Sequence, residues 1–365
     1  MRSSLFARGN VMGIGRRRTA VIAGVVAGAV LAAGTVLWAT DSGPFRASYC
    51  WGAWQQDSGP SFLGDEALEK SGSKRRATES AAPSPARPRG TCTVSVASEM
   101  ADDDSDGSLS FREAVTLEYG TAPAGVKERR DWLARYFHGS ASPLPDGLDG
   151  LVAADRGLLV LPRACDDDGE PTVVTIRGEG SGDGHLGKVA MPFTIGTRAE
   201  VLGMLLDAAN TGMEKAGCAP SHPLRSSSPI VTVAEDDERA GTPLCRIPGM
   251  TFDYGDGSRY EQQVGAVTDR LQTCSVVWET LRMPDEPSAQ YVMASGTRLA
   301  DLFRVLPEGS AQGLVRRQCG GRPTVFYGHV EAGLQDRGRP SDRRVFERFV
   351  ESVEQRIGCG SGEDA

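Results

Sequence analysis

The chain has 365 residues, of which 40 are basic and 48 acidic, and its net charge at pH 7 is −8. The first 40 residues contain five arginines and no other charged residue, so the remaining chain has a net charge of −13. An acidic surface repels phosphate groups, which argues against nucleic acid or anionic lipid as the main partner.

The N-terminal stretch is predicted to anchor the protein in a membrane. Residues 19–40 carry no charge, and as a helix they would reach about 33 Å, enough to cross a hydrocarbon core of about 30 Å. Residues 1–18 are basic and are predicted to stay in the cytoplasm, which places the rest of the chain outside. A signal peptide cut after Ala29 is the alternative. Gly24 and Gly28 form a GxxxG motif, which either joins two membrane helices or reflects ordinary membrane-helix composition.

The exported part is predicted to consist of two diverged copies, because four short stretches recur in the same order. Each copy is predicted to form a hairpin, a short helix, two strands and a long helix, which together make an α+β unit. The matched stretches are Cys92-Thr-Val-Ser-Val with Cys274-Ser-Val-Val-Trp, Leu158-Leu-Val-Leu-Pro-Arg-Ala-Cys165 with Gly313-Leu-Val-Arg-Arg-Gln-Cys319, Pro171-Thr-Val-Val-Thr with Pro323-Thr-Val-Phe-Tyr, and Gly217-Cys218 with Gly358-Cys359.

The boundaries of the predicted units follow from composition. Residues 41–219 form copy one, and residues 243–360 form copy two. Residues 220–242 form a linker that contains an acidic run, and residues 361–365 form a short polar tail. Within copy one, residues 69–90 lack apolar side chains and are rich in Ser, Pro, Arg and Ala, which predicts a disordered insertion.

The predicted helices are amphipathic, with apolar residues at a spacing of three and four. Thr197 and Glu200 form a capping box at the start of the first long helix. The apolar faces are Trp132, Leu133, Tyr136 and Phe137, then Val201, Leu205, Ala208, Met213 and Ala216, then Leu299, Leu302, Phe303 and Leu306, and last Val345, Phe349, Val350, Val353 and Ile357.

All eight cysteines follow the predicted membrane span. An even number of cysteines in an oxidising compartment predicts disulfides. No two cysteines are closer than 27 residues, which argues against a zinc site. The symmetry of the two copies predicts four bridges, namely Cys50 with Cys92, Cys165 with Cys218, Cys245 with Cys274, and Cys319 with Cys359.

One acidic stretch matches the calcium loop of an EF-hand. Asp102, Asp104, Asp106 and Glu113 occupy positions 1, 3, 5 and 12 of that loop, with Gly107 at position 6. However, the residues on both sides alternate like strands, whereas an EF-hand needs an entering helix. The alternative to a calcium site is an acidic hairpin tip. No other metal site is predicted in the chain.

A second motif, Gly182-Asp-Gly-His-Leu-Gly187, has the glycine spacing of a dinucleotide-binding loop. That loop must open directly onto a helix, but Lys188 to Gly196 intervene, so a surface loop is predicted and no cofactor is expected. His185 lies beside Asp183, and this pair is the candidate for a hydrolase that uses carboxylates and a histidine. No complete set of nucleophile, base and acid is present, so no catalytic residue is assigned.

The aromatic segment just outside the predicted span carries the main resemblance to other proteins. Pro44-Phe-Arg-Ala-Ser-Tyr-Cys-Trp-Gly-Ala-Trp54 would form either a first strand or a surface for the bilayer or a partner. With Asp146-Gly-Leu-Asp-Gly-Leu-Val and Arg156-Gly-Leu-Leu-Val-Leu-Pro, it resembles a group of uncharacterised, Streptomyces-like actinomycete proteins anchored in the membrane with their bulk outside. The resemblance implies a location and carries no activity.

Two classes of function fit these patterns. The first is a non-enzymatic envelope protein that binds a protein, a cell-wall component or a small molecule outside the membrane. The second is an extracytoplasmic hydrolase that uses carboxylates with His185. A structural or signalling subunit that dimerises through the membrane helix is a further alternative. The absence of a converging catalytic set favours the binding protein.

Overall fold

The computed structural model describes residues 48–56, 59–70, 72–101, 108–184, 187–191, 193–233, 243–250, 260–278, 287–330 and 342–359. The predicted cytoplasmic segment 1–18, the predicted membrane span 19–40 and the predicted tail 361–365 lie outside these residues. Among the helices of the described residues, none combines the length and the apolar character that a bilayer crossing requires.

The described residues form a mixed α and β structure with few helices, which agrees with the predicted class. The helices are α1 Val126–Tyr136, α2 Arg198–Ala216, α3 Thr297–Asp301 and α4 Asp342–Ile357. The strands are β1 Ser48–Tyr49, β2 Trp54–Gln55, β3 Lys74–Glu79, β4 Gly90–Ala101, β5 Ser108–Thr121, β6 Ser142–Pro143, β7 Gly150–Val152, β8 Arg156–Val160, β9 Thr172–Gly184, β10 Gly187–Met191, β11 Tyr260–Val264, β12 Leu271–Trp278, β13 Ala289–Ser295, β14 Leu314–Cys319 and β15 Arg322–Val330.

Two antiparallel sheets organise the described residues, one in each half of the chain. The first sheet has the order β3-β4-β5-β9-β8-β7-β6, with β10 added to β9, and the second has the order β11-β12-β13-β15-β14. The first five strands of the first sheet therefore follow the same order as the five strands of the second. In both halves a helix follows the third strand of this order. A longer helix follows the last strand of each half along the chain, which is β10 in the first half and β15 in the second.

The pairing register extends this correspondence to single residues. In the first sheet Cys92 lies opposite Leu117, and Leu117 lies opposite Ile176. In the second sheet Cys274 lies opposite Tyr291, and Tyr291 lies opposite Gly328. Counting outwards from these rows makes Thr175 correspond to Tyr327, as in the matched sequence stretches. It makes Leu158 correspond to Leu314, which is one residue from the position that the sequence match gives.

Three hydrophobic clusters hold the described elements together. In the first cluster α2 covers one face of the first sheet, and in the second α4 covers one face of the second sheet. The third cluster lies between the two sheets and includes α1 and α3, so both halves contribute to it. Every residue of the four predicted apolar sets is buried except Ile357, which is partly buried against the second cluster. The predicted short helix of the second half is shorter than expected, because α3 ends at Asp301 and Leu302, Phe303 and Leu306 lie in the turns after it.

The predicted disulfide pairing is confirmed at all eight cysteines. The bridges join Cys50 with Cys92, Cys165 with Cys218, Cys245 with Cys274, and Cys319 with Cys359. The first and third begin in short 3-10 turns where Cys50 and Cys245 both have a left-handed backbone, with φ of 55° and 56°. Four disulfides suggest an oxidising, extracytoplasmic environment.

The prediction that residues 69–90 are a disordered insertion was wrong for Lys74–Glu79, which form the edge strand β3. Their backbone pairs with β4 along six residues, so the order comes from main-chain hydrogen bonds and needs no apolar side chains. The Arg75 guanidinium also donates to the carbonyls of Phe62 and Gly64. These contacts lie far apart in sequence, which is why composition alone misses the strand.

The aromatic segment Tyr49–Trp54 forms a short β-hairpin, as the strand interpretation expects. Tyr49 and Trp54 are buried, and the Trp54 indole Nε1 donates to the Met204 carbonyl of α2 at 3.0 Å. Trp51 is half-buried, and its Nε1 donates to the Ser80 carbonyl at 3.1 Å. The contacts of both rings within the protein argue for a structural role.

Helix α2 begins and ends as its sequence dictates. The capping box is confirmed, since the Glu200 backbone N–H donates to Thr197 Oγ1 and the Thr197 N–H donates to Glu200 Oε2 at 2.7 Å. The helix ends at Gly217, whose φ of 73° is the left-handed conformation that glycine adopts without strain.

Two glycines inside α2 allow a matched stability test. A Cβ at Gly212 would lie 2.3 Å from the Tyr119 ring, whereas a Cβ at Gly203 meets nothing within 4 Å. We expect Gly203→Ala to raise the free energy of unfolding by about 1 kcal/mol, because alanine favours a helix over glycine. We expect Gly212→Ala to lower it by about 1–3 kcal/mol through overpacking. Guanidinium unfolding of both variants checks this, and equal shifts would contradict the packing of α2 on Tyr119.

Candidate functional site

Three of the four predicted calcium ligands lie outside the described residues, so the calcium site stays a prediction. Asp102, Asp104 and Asp106 lie outside them, and Glu113 lies within β5 opposite Val96 of β4. The elements on both sides of the acidic stretch are the long antiparallel strands β4 and β5, as expected if the stretch is the tip of a hairpin. The entering helix of an EF-hand is replaced by β4, so the sequence match lacks the structural context that calcium loops require.

The glycine motif at 182–187 also belongs to a hairpin. Gly184 of β9 lies opposite Gly187 of β10, and the chain then continues as a strand, so no helix opens at the motif. The Asp183 carboxylate accepts a hydrogen bond from the Ser110 backbone N–H at 2.7 Å, which lowers the pKa of Asp183. His185 lies outside the described residues, so the hydrolase interpretation stays a prediction.

One group of sulfur and carboxylate atoms resembles a metal site in composition alone. The sulfurs of Cys50 and Cys92 and a carboxylate oxygen of Glu79 lie within 4.8 Å of one another. Both sulfurs belong to a disulfide and so lack the thiolate that binds a metal. Glu79 instead accepts hydrogen bonds from the backbone N–H groups of Cys50 at 2.6 Å and Trp51 at 3.3 Å, which stabilises the left-handed turn.

A cleft of about 360 Å³ opens on the face of the first sheet that α2 does not cover. This volume falls in the range of small-ligand pockets, about 300–1,000 Å³. Its walls come from the loop before β4, the start of β4, the end of β5, the start of β9 and the Trp132 ring of α1. The lining residues are Ser80, Arg87, Pro88, Arg89, Gly90, Thr91, Glu118, Tyr119, Gly120, Thr121, Pro123, Trp132, Asp167, Val173 and Thr175.

Strand alternation explains why this face is polar. Successive side chains of a strand point to opposite sides of the sheet. On β4, Cys92 and Val94 lie in the core under α2, so Thr91 and Thr93 lie on the opposite face. On β5 the same alternation places Glu118 on the open face beside the core residue Leu117. The hydroxyl and carboxylate groups of these strands therefore face the cleft side.

The charged groups at the cleft are not engaged with the rest of the described protein. Arg87, Arg89 and Glu118 are exposed, and within the described residues their charged groups make no hydrogen bond or ion pair. The same holds for the Asp167 carboxylate, which is partly exposed. Two cations and two anions thus line one small cleft, and they form no ion pairs with one another. This arrangement suits a ligand that carries both a positive and a negative charge.

Trp132 of α1 lines the cleft, and Tyr136 of the same helix packs against the Trp132 ring. The rings of Trp132 and Tyr136 lie 5.3 Å apart between centroids, and both side chains are buried. Burial raises the pKa of Tyr136 to about 12, partly opposed by its contact with Thr175. The phenol therefore stays neutral at any physiological pH. It adds no charge beside Glu118 and Arg177, the two charged groups that act on it from the sheet.

The lining side chains supply polar, charged and aromatic contacts for a ligand. The described lining residues contain no His, Cys or Lys, the side chains that most often serve as base or nucleophile. The Ser80 hydroxyl is already engaged, since it donates to the Ala81 carbonyl at 3.0 Å and accepts from the Thr91 N–H at 2.8 Å. The cleft offers hydroxyls, charges and an aromatic wall, which can orient a ligand.

Comparison with known proteins adds no relative: no family model, curated protein or solved structure matches this chain. The case for a site therefore depends on the geometry of the chain itself. Sequence reasoning missed the cleft, although the alternation in Thr91-Cys-Thr-Val-Ser-Val96 does signal a strand with one polar face.

Proposed function

We propose that the protein is a non-enzymatic binding module that works outside the membrane, with the cleft beside Thr91 as its binding site. The observation that carries the proposal is a small cleft whose arginine and carboxylate groups have no partner among the described residues. The four disulfides support the location, since such bridges persist outside the cytoplasm. The uncharged segment 19–40 would hold the module at the membrane.

The proposal includes an origin by internal duplication, with the second copy serving mainly to support the first. The shared strand order, the matching register and the equivalent disulfides all support it. It also includes the resemblance to the membrane-anchored actinomycete group, which rests on the sequence motifs alone. Neither part requires a catalytic residue.

A cleft-filling variant tests the binding function. Gly120 lines the cleft, and a Cβ there would first meet Arg89 Cβ at 3.5 Å, an ordinary contact. Gly120→Ala should therefore fold normally, whereas the longer side chain of Gly120→Leu should occupy the cleft. We expect the full-length protein in mild detergent to retain a ligand from envelope extract that Gly120→Ala also retains and Gly120→Leu loses.

Mass spectrometry of the retained fraction identifies the ligand, and unfolding curves confirm that both variants are folded. Equal retention by all three proteins would contradict the cleft as the site. Retention of nothing by the wild-type protein would contradict the binding function itself and would make substrate screens, with His185→Ala as a control, the next step.

A further inference from the structure

In the second half, a segment of the chain itself lies at the place that corresponds to the cleft of the first half. The segment that follows α1 runs against β12 of the second sheet, and Gly139 is its central residue. The Gly139 N–H donates to Ser275 Oγ at 2.9 Å, and Thr273 Oγ1 donates to the Gly139 carbonyl at 2.8 Å. Two hydroxyls on either side of Cys274 thus hold both polar groups of one peptide residue.

The first half carries the same pair of hydroxyls on β4. Cys92 corresponds to Cys274, so Thr91 corresponds to Thr273 and Thr93 to Ser275. A shared backbone bond confirms the match independently. Ser80 N–H donates to the Thr91 carbonyl at 2.9 Å, just as Gly265 N–H donates to the Thr273 carbonyl at 2.9 Å. The Thr91 hydroxyl lines the cleft and makes no hydrogen bond within the described residues.

The segment that symmetry would place on Thr91 and Thr93 is engaged elsewhere. After α1 the chain reads Gly139-Ser-Ala, and after α3 it reads Gly309-Ser-Ala. Gly309 does not extend to the first sheet, because its N–H donates to the Leu314 carbonyl at 2.7 Å and its carbonyl accepts from the Gln312 N–H at 2.9 Å. The Thr91 hydroxyl is therefore left for a ligand from outside. Thr93 Oγ1 shares one hydrogen bond with Thr116 Oγ1 at 3.1 Å and keeps a lone pair that can accept an N–H of the ligand.

We propose that the cleft binds a short peptide through one residue with a left-handed backbone, gripped by Thr91 and Thr93 as Gly139 is gripped by Thr273 and Ser275. The inference rests on the proposed binding function and specifies its ligand. Gly139 has a φ of 65°, a conformation open to glycine or a D-amino acid and costly for an L-residue. The gripped residue of the ligand is accordingly glycine or a D-residue.

The differences between the two halves define the end of the peptide. In the second half Gly265 leaves room for the internal segment, since a Cβ there would lie 2.3 Å from the Ala141 carbonyl oxygen. In the first half Ser80 takes the place of Gly265, so its side chain fills that room. The bound peptide must therefore end, or turn away, about one residue after the gripped residue, where the internal segment continues.

The charges at the cleft fit a peptide that ends there. A terminal carboxylate would face Arg87 and Arg89, whose guanidinium groups have no partner among the described residues. Glu118 and Thr175 stand where the second half has the buried residues Val292 and Tyr327. The exposed Glu118 carboxylate can therefore bind an amine or a hydroxyl of the ligand, whereas the buried Thr175 hydroxyl is already bonded to Tyr136.

Titration of three acetylated tripeptides tests this proposal. The probes are Ala-Gly-Ser, Ala-(D-Ala)-Ser and Ala-(L-Ala)-Ser, each as the free acid and as the C-terminal amide. They are added to the full-length protein in mild detergent, and amide NMR shifts of β4 are recorded. We expect the glycine and D-alanine acids to bind at millimolar Kd, the L-alanine acid to bind about tenfold more weakly, and each amide to bind more weakly than its acid.

Matched variants at Thr91 identify the site. Thr91→Val removes the hydroxyl from an exposed strand position without disturbing its shape, and we expect it to weaken binding about fivefold. Thr91→Ser keeps the hydroxyl and should bind like the wild-type protein. No shifts up to about 10 mM peptide, or equal affinity of the wild-type protein and both variants for all three probes, would overturn the proposal. An envelope ligand that Gly120→Leu loses would still uphold the binding function in that case.

Discussion

Replacement of both Cys165 and Cys218 by alanine is expected to lower the free energy of unfolding by about 4 kcal/mol. The bridge closes a loop of 53 residues, and a cross-link of that length removes roughly this much chain entropy from the unfolded state. In the native state it ties the end of the 3-10 turn after β8 to the residue that follows the C-cap of α2. Guanidinium unfolding under non-reducing conditions, followed by tryptophan fluorescence, measures the effect.

The bridge between Cys319 and Cys359 provides the matched comparison. It occupies the corresponding place in the second half and has a sequence separation of 40, so its removal should cost about the same, roughly 4 kcal/mol. An unfolding midpoint that does not move in either double variant would show that the corresponding thiols are unpaired in the protein. A shift in only one variant would refute the equivalent roles of the two bridges.

The features that sequence reasoning predicted well are those that leave a local mark. The cysteines are widely spaced, and four of them recur in the order of the other four, so symmetry sufficed to predict their partners. The helix faces follow a spacing of three and four residues, and the capping box needs only Thr197 and Glu200. Each of these patterns lies within one short stretch or repeats along the chain.

The features that were missed depend on contacts between distant residues. Strand β3 consists of charged and small residues without an apolar pattern, and its backbone pairs with the neighbouring strand β4. The cleft draws on residues from Ser80 to Thr175, and strand register alone brings them together. The grip on Gly139 joins residues more than 130 positions apart. Composition and periodicity do not report such pairings, because they describe neighbours along the chain.

Arg129 is the clearest case of a feature that the local sequence does not predict, because nothing in its sequence neighbourhood indicates a buried arginine. It lies on α1 with its side chain fully buried. Its Nε donates to the Pro123 carbonyl at 2.6 Å, and its Nη1 donates to the Leu302 carbonyl just after α3 at 2.5 Å. Glu170 lies 3.7 Å from its Nη2. One side chain thus joins the loop before α1, the second half of the chain and an acidic side chain.

Arg129→Met is expected to lower the free energy of unfolding by about 3–5 kcal/mol. Methionine has a similar length and fills the space, but it leaves the buried carbonyls of Pro123 and Leu302 without a donor and removes one cation from Glu170. Arg130→Met is the control. Arg130 is partly exposed and makes no hydrogen bond or ion pair within the described residues, so its change should stay within about 0.5 kcal/mol.

The number of transitions in the unfolding curve tests whether the two halves unfold together. The cluster between the two sheets contains residues of both halves, and Arg129 donates across the same boundary. Shared burial couples the halves, so the wild-type protein should unfold in one transition. Arg129→Met removes one polar link but leaves the apolar cluster, and the transition should shift without splitting. Two separate transitions in the variant would show that Arg129, rather than the apolar cluster, couples the two halves.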